Sequence, residues 1–228
     1  MGLALASKRV QPRVPLAALV AATFALDVLW PVFVLAGVEV VRIDPGNTAF
    51  TPLDFASYPW SHSLLMAAMW GTAAGLVARR TLRVARAGLV IGALVVSHWV
   101  LDLIVHRADL PVWPGGPRVG LDLWNSVPGT LLVEGALFLA GIVIYARTCP
   151  ARDAIGRWAY WALMLVLAGA WVSGPFSPPP PGATAVAVVG LAFALLVLPW
   201  VVWIERHRAS PGLRDVSTAG SATLRNKT

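Results

Sequence analysis

Cysteine is nearly missing from this chain: Cys149 is the only one in 228 residues. One thiol excludes an internal disulfide and a cysteine metal cage, and Cys149 reads as a spectator near a helix end. Charge is scarce as well. Asp, Glu, Lys and Arg make up 13% of the residues, about half the usual share of a soluble domain. Within that small set acid is the rarer sign, 11 residues against 18 basic, for a net charge of +7. Such an excess raises the question of nucleic acid, but the arginines lie at the ends of apolar blocks, where they orient a membrane protein. No nucleic-acid partner is expected. Amphipathic striping is also lacking: the hydrophobic residues, 57% of the chain, come in blocks of about 18 or more, the length of a transmembrane helix. No internal repeat stands out, so no inverted-repeat transporter signature is visible.

The blocks predict an all-α, polytopic membrane bundle of about six transmembrane helices. Residues 1–13 form a basic cytoplasmic leader with Lys8, Arg9 and Arg13. A single membrane domain over 14–204 holds the spans, at about Val14–Val38, Tyr58–Ala78, Ala87–His106, Pro128–Ala146, Trp158–Val172 and Ala183–Ile204. The first block is too long for a signal-peptide core and carries Asp27 in its middle, so it reads as a retained helix, kinked at Pro31. Glu39–Ser57 is a polar, turn-rich loop, and Arg107–Val127 a loop hugging the interface, with a short surface helix at Val119–Trp124. Ser177–Pro181 is a stiff polyproline elbow. Residues 205–228 are a disordered cytoplasmic tail. With the N-terminus inside, the leader, Arg79–Arg86, Arg147–Arg157 and the tail all fall in the cytoplasm, as the positive-inside rule demands. The bacterial inner membrane is the expected location, and lipid the expected surroundings.

Ionisable residues inside such spans are expensive unless they face protein, water or a metal. In Ser97–Asp109, spacing of four puts His98, Asp102 and His106 on one helical face, drifting about 40° per step. Counting about 1.5 Å per residue, Asp27, His62, His98, Asp102, His106 and Glu134 all fall in the outer half of the first four spans. The last two spans carry none in their interiors. Imidazole and carboxylate on neighbouring helices are a ligand set for zinc, or for manganese or iron where carboxylates dominate. His62, His98, Asp102 and Asp27 are the candidate ligands. His106, beside Arg107 at the water boundary, is a further candidate at the edge of the set. Glu134 or Asp27 could serve as general base or orient a ligating histidine. Each residue also has a plainer reading: His98 with Asp102 as a buried hydrogen-bonded pair, His62 as an interfacial histidine, Asp27 and Glu134 as polar links between helices. Asp54 and Asp109 read as loop residues that cap or turn, and Asp122 as solvated surface.

Ser61-His62-Ser63-Leu64-Leu65 and Ser97-His98-Trp99-Val100-Leu101-Asp102, with an acidic residue in the first span, resemble the membrane-bound metal-dependent hydrolases of bacteria, the LexA-binding, inner-membrane-associated group. The resemblance implies His62, His98 and Asp102 as ligands, with Asp27 in the place of the family's N-terminal aspartate. Two features depart from the pattern. Tyr58-Pro59-Trp60 replaces an Arg-Gly pair, and the first acidic element is the lone Asp27. Over roughly residues 38–140 the chain is also similar to a set of uncharacterised bacterial polytopic membrane proteins. They share the elements found here as Pro52-Leu53-Asp54-Phe55, Tyr58-Pro59-Trp60-Ser61-His62-Ser63-Leu64 and Ser97–Pro111.

Four functions compete at this point. The leading one is a metal-dependent hydrolase acting on a lipid-like or periplasm-side small molecule. A proton-coupled carrier or channel would also use intramembrane acids and histidines, but here they stop at mid-depth. Bis-histidine haem binding by His62 and His98 is disfavoured by Asp102 one turn away. The last is a membrane scaffold whose polar cluster is structural.

Overall fold

The computed structural model describes residues 1–211, and it is mostly helical. The chain runs α1 (Gly2–Val10), α2 (Leu16–Thr23), α3 (Ala25–Leu35), β1 (Val40–Ile43), β2 (Leu53–Ser57), α4 (Pro59–His62), α5 (Leu64–Thr81) and α6 (Ala87–Val105). It continues through β3 (Leu110–Pro111), β4 (Arg118–Val119), α7 (Val127–Thr148), α8 (Ala154–Ser173) and α9 (Ala183–Arg206). Four of these helices, α6 to α9, are long and apolar enough to cross a membrane, and α2 with α3 makes a fifth if the bent pair is one span. α5 is a continuous helix of 18 residues but falls outside that set, with Arg79 and Arg80 in its last turn. Their outward faces are apolar: Leu132, Leu165 and Leu195 are each more than 70% exposed. An exterior of that kind suits hydrocarbon rather than water.

At one end lie two antiparallel hairpins, β1 with β2 and β3 with β4. The expected loops over 39–57 and 107–127 are thus partly strand, and the expected surface helix at Val119–Trp124 is a strand residue followed by a single 3-10 turn at Leu123–Asn125. The amide of Phe50 donates to the carbonyl of Trp124 at 2.9 Å, tying the two hairpin loops together. The α7–α8 connection meets the end of α9, where Ala151 bridges Arg208 and the Arg152 amide donates to the His207 carbonyl at 2.9 Å.

Two departures from the expected layout matter. Residues 1–13 are not a free leader: α1 packs lengthwise on α7, with Ala4, Leu5 and Lys8 buried. Gly2 allows this, since a side chain there would meet the backbone of Leu137 and Phe138. The first residues of the tail are likewise ordered. Glu205 accepts the Lys8 ammonium at 2.7 Å and the Leu16 amide at 2.8 Å, capping α2. Arg208 donates to the carbonyls of Cys149 and Gly156 and lies over the Tyr160 ring. The tail beyond residue 211 lies outside the described residues.

The first span breaks where sequence did not place the break. α3 runs unbroken through Pro31, and the chain bends by 52° between Thr23 and Ala25 instead. A helix end leaves its last carbonyls without partners in the helix. Thr23, the last residue of α2, therefore has a main-chain oxygen to offer.

Candidate metal centre

α3, α4 and α6 bring four ionisable side chains to one point. Asp27 sits near the start of α3, one turn past the bend. His62 closes the single turn of α4, and Ser63 then turns extended and caps α5 by accepting from the Met66 amide at 3.3 Å. That corner between two short helical pieces aims His62 inward, where it is 6% exposed. His98 and Asp102 come from consecutive turns of α6.

The distances are those of groups converging on a shared point. His98 Nε2 lies 3.4 Å from Asp27 Oδ1 and 3.3 Å from Asp102 Oδ2. His62 Nε2 lies 3.7 Å and 3.9 Å from the same two oxygens. One ligand atom from each of Asp27, His62 and His98 lies within 4.8 Å of the other two.

The tautomers follow from what holds the other ring nitrogens. His98 Nδ1 is 2.8 Å from the Thr23 carbonyl, which only accepts, so Nδ1 carries the hydrogen. His62 Nδ1 is 2.8 Å from Ser61 Oγ. That hydroxyl gives its own hydrogen to Glu39 Oε2 at 2.6 Å, so it accepts from His62 Nδ1. In their neutral form both imidazoles then present a lone pair at Nε2 toward carboxylates that also only accept. Asp102 Oδ2 is buried and has no hydrogen-bond partner among the described residues. With both rings neutral the pocket offers acceptors alone, a donor set for a divalent cation, and two imidazoles with one or two carboxylates suit zinc, manganese or iron. Each imidazole is oriented by a hydrogen bond to its second nitrogen, the usual arrangement around a ligating histidine.

The other two candidates line the same cavity but are otherwise engaged. His106 is buried, its Nδ1 3.0 Å from Asp109 Oδ1 and 3.2 Å from the Tyr58 hydroxyl, under the rings of Phe55 and Trp124. It stands outside the group of three. Glu134 accepts the indole N–H of Trp171 at 2.7 Å and of Trp124 at 3.3 Å. Asp54 pairs with Arg107 at 2.9 Å, and Asp122 accepts from the Asn125 amide. The cavity is about 550 Å³, with a largely apolar lining that includes Phe24, Leu101, Leu137, Phe138 and Phe193. Met1, with Gly2 and Leu3 of α1, forms part of its wall.

Sequence reasoning missed three contributors. Ser61 and the Thr23 carbonyl lie beside expected features but had no sign of their role. Glu39 read as a loop acid, yet it is 2% exposed. Its Oε1 accepts the amides of Trp60 and Ser61, both at 2.8 Å. Comparisons of the chain with protein-family models, with curated proteins and with solved structures find no match.

Proposed function

We propose that this protein is a membrane-embedded, metal-dependent hydrolase of the bacterial inner membrane. Its site lies in the outer half of the bilayer, and zinc is the first choice of ion, with manganese or iron as substitutes. In this reading α2 with α3 is one span and α5 another, giving six spans with the C-terminal end inside. The expected cytoplasmic N-terminus instead starts at the cavity wall, and α1 runs from there to the Lys8–Glu205 pair at the cytoplasmic end. The hairpin end faces out, and the arginine-rich turns face the cytoplasm.

One observation carries the reading. Two imidazoles with their Nδ1 atoms already committed, and two carboxylates, approach one another at 3.3 to 3.9 Å with Asp102 Oδ2 left unpartnered. A buried salt-linked pair needs hydrogens in that space, whereas a cation needs lone pairs.

Hydrolysis, rather than a static structural ion, is favoured by the cavity beside the group. A structural site closes around its ion, while a catalytic one keeps a position open to water and substrate. When bound, the ion would polarise the scissile carbonyl or phosphoryl group and bring the pKa of water down toward neutrality. His62, His98 and Asp102 would hold it, with Asp27 as a fourth ligand or as the acid that takes the proton from water. Glu134, held by two indoles in the same cavity, is the other group placed to move a proton. The mainly apolar walls favour a lipid-like substrate over a fully polar one.

The test is metal analysis of the detergent-purified protein beside His98→Ala and Asp102→Ala, together with turnover of fluorogenic acyl esters and phosphodiesters. Wild type is expected to carry about one equivalent of zinc and to turn over one of the two classes. Both variants are expected to lose metal and turnover together. A metal-free wild type whose melting temperature ignores chelator and His98→Ala alike would sink the proposal.

A further inference from the structure

The strongest unexplained feature beside the site is the buried carboxylate of Glu39. It stands at the head of β1, far in sequence from any candidate ligand, and every hydrogen bond it makes points to one dipeptide. Oε1 takes the two amides of Trp60 and Ser61, and Oε2 takes the Ser61 hydroxyl. Because Oε2 takes the hydroxyl's hydrogen, Ser61 Oγ can only accept from His62 Nδ1.

We propose that Glu39, acting through the Ser61 hydroxyl, is the positioning residue of the centre: it fixes the tautomer and ring direction of His62. The inference rests on the cation reading above. Its consequence is that the β1–β2 hairpin forms part of the centre and does more than cover the bundle, since its first acid decides which nitrogen of His62 carries the hydrogen. His98 takes the same instruction from a main-chain carbonyl, which no substitution can remove. The His62 arm is therefore the one that side-chain chemistry can switch.

Glu39→Gln separates positioning from packing. The amide oxygen keeps the two backbone donors, so the fold around Trp60 and Ser61 is retained. The amide nitrogen then faces Ser61 Oγ as a donor. The hydroxyl turns its hydrogen toward His62 Nδ1, and the imidazole hydrogen moves to Nε2, where it blocks the lone pair. An isosteric change of little cost to folding thus disables one ligand. Ser61→Ala removes the acceptor without supplying a donor, so it is the milder variant.

The experiment measures Zn²⁺ affinity of the metal-stripped, full-length protein in detergent by competition with a chromophoric chelator. Wild type is compared with Glu39→Gln, Ser61→Ala, the double variant and His98→Ala, and melting temperatures of the stripped proteins are recorded alongside. Glu39→Gln is expected to bind zinc roughly 10- to 100-fold more weakly, the usual cost of losing such an outer partner. The stripped protein should melt close to wild type. The double variant should bind no more weakly than Glu39→Gln alone, because both act through one hydrogen bond. Nitrogen-15 spectra of labelled histidine add a readout that packing would not move. In the stripped wild type His62 should carry its hydrogen on Nδ1, and in Glu39→Gln on Nε2. An affinity within about twofold of wild type, a strictly additive double variant, or an Nε2 hydrogen on His62 in wild type would each overturn the inference. If His98→Ala abolishes zinc binding while Glu39→Gln does not weaken it, only the positioning role falls. If wild type takes up no zinc, the cation reading falls with it.

Discussion

Asp109 lies in a loop three residues past the His106 cap of α6, yet it is held like a core residue. Burial alone would raise its carboxyl. The His106 hydrogen bond and charge, Arg107 at 3.2 Å and the Tyr58 hydroxyl outweigh that and hold it below the usual carboxylate range. A group whose folded pKa is lowered contributes stability that is present above its unfolded value of about 4 and lost as pH falls through the folded one. The protein should therefore lose melting temperature on acidification from pH 5 downward, more steeply in wild type than in Asp109→Asn. Scanning unfolding across that range in detergent checks it, and equal slopes would show that the pairing contributes nothing. At this scale His106 also shows how one side chain escapes sequence reasoning. The i,i+4 spacing with Asp102 is real, but α6 ends at Val105, and the loop returns Asp109 to claim the imidazole.

Elements pack here through their small residues. Gly71 and Gly75 on α5 face Gly92 and Gly88 on α6, so each helix lays a Gly-x-x-x-Gly face against the carbonyls of the other. A Cβ at Gly75 would stand 2.6 Å from the Gly88 oxygen, and one at Gly71 2.8 Å from the Gly92 oxygen. Both partners are rigid backbone. Gly75→Leu should therefore destabilise the bundle by about 1–3 kcal/mol, the cost of overpacking a close contact. Gly190→Leu on α9, where nothing lies within 4 Å, should stay within about ±0.5 kcal/mol. Chemical unfolding in mixed micelles would measure both, and equal costs would remove the glycine contact as the reason α5 and α6 pair. This pairing also serves the centre, because α5 continues from His62 and α6 carries His98 and Asp102. The bend between α2 and α3 plays the matching part on the other side, freeing the Thr23 carbonyl for His98.

On the scale of the whole molecule, the single buried thiol makes sidedness testable. Cys149 is 1% exposed, so introduced cysteines report with little background. Asn47→Cys in the β1–β2 turn and Ser177→Cys before the proline run should react with an impermeant maleimide added to intact spheroplasts. Arg83→Cys and Arg152→Cys should react only after lysis. Reversal of the pattern would place the centre in the cytoplasmic half and overturn the periplasm-side substrate. The arginine-rich end is itself locked: Lys8, Glu205 and the α2 amide form one buried knot that joins the first helix to the last.

Composition and block length by themselves determined the class and most of the helices. A chain with long apolar blocks must hydrogen-bond its backbone within each segment, and that leaves helices as the solution. The period of α6 likewise placed His98 and Asp102 together, and their cost in an apolar setting marked them. What tertiary structure decided was everything carried by contacts between distant segments. The break at Phe24 had no proline to announce it. α1 docked on α7 because a glycine allowed it. Glu39 reached His62 across a hairpin, and Asp109 took His106 out of the group. Local sequence records the helical period and the desolvation cost of a residue, but a hydrogen bond between segments 22 or 75 residues apart is fixed only when packing brings its two ends together.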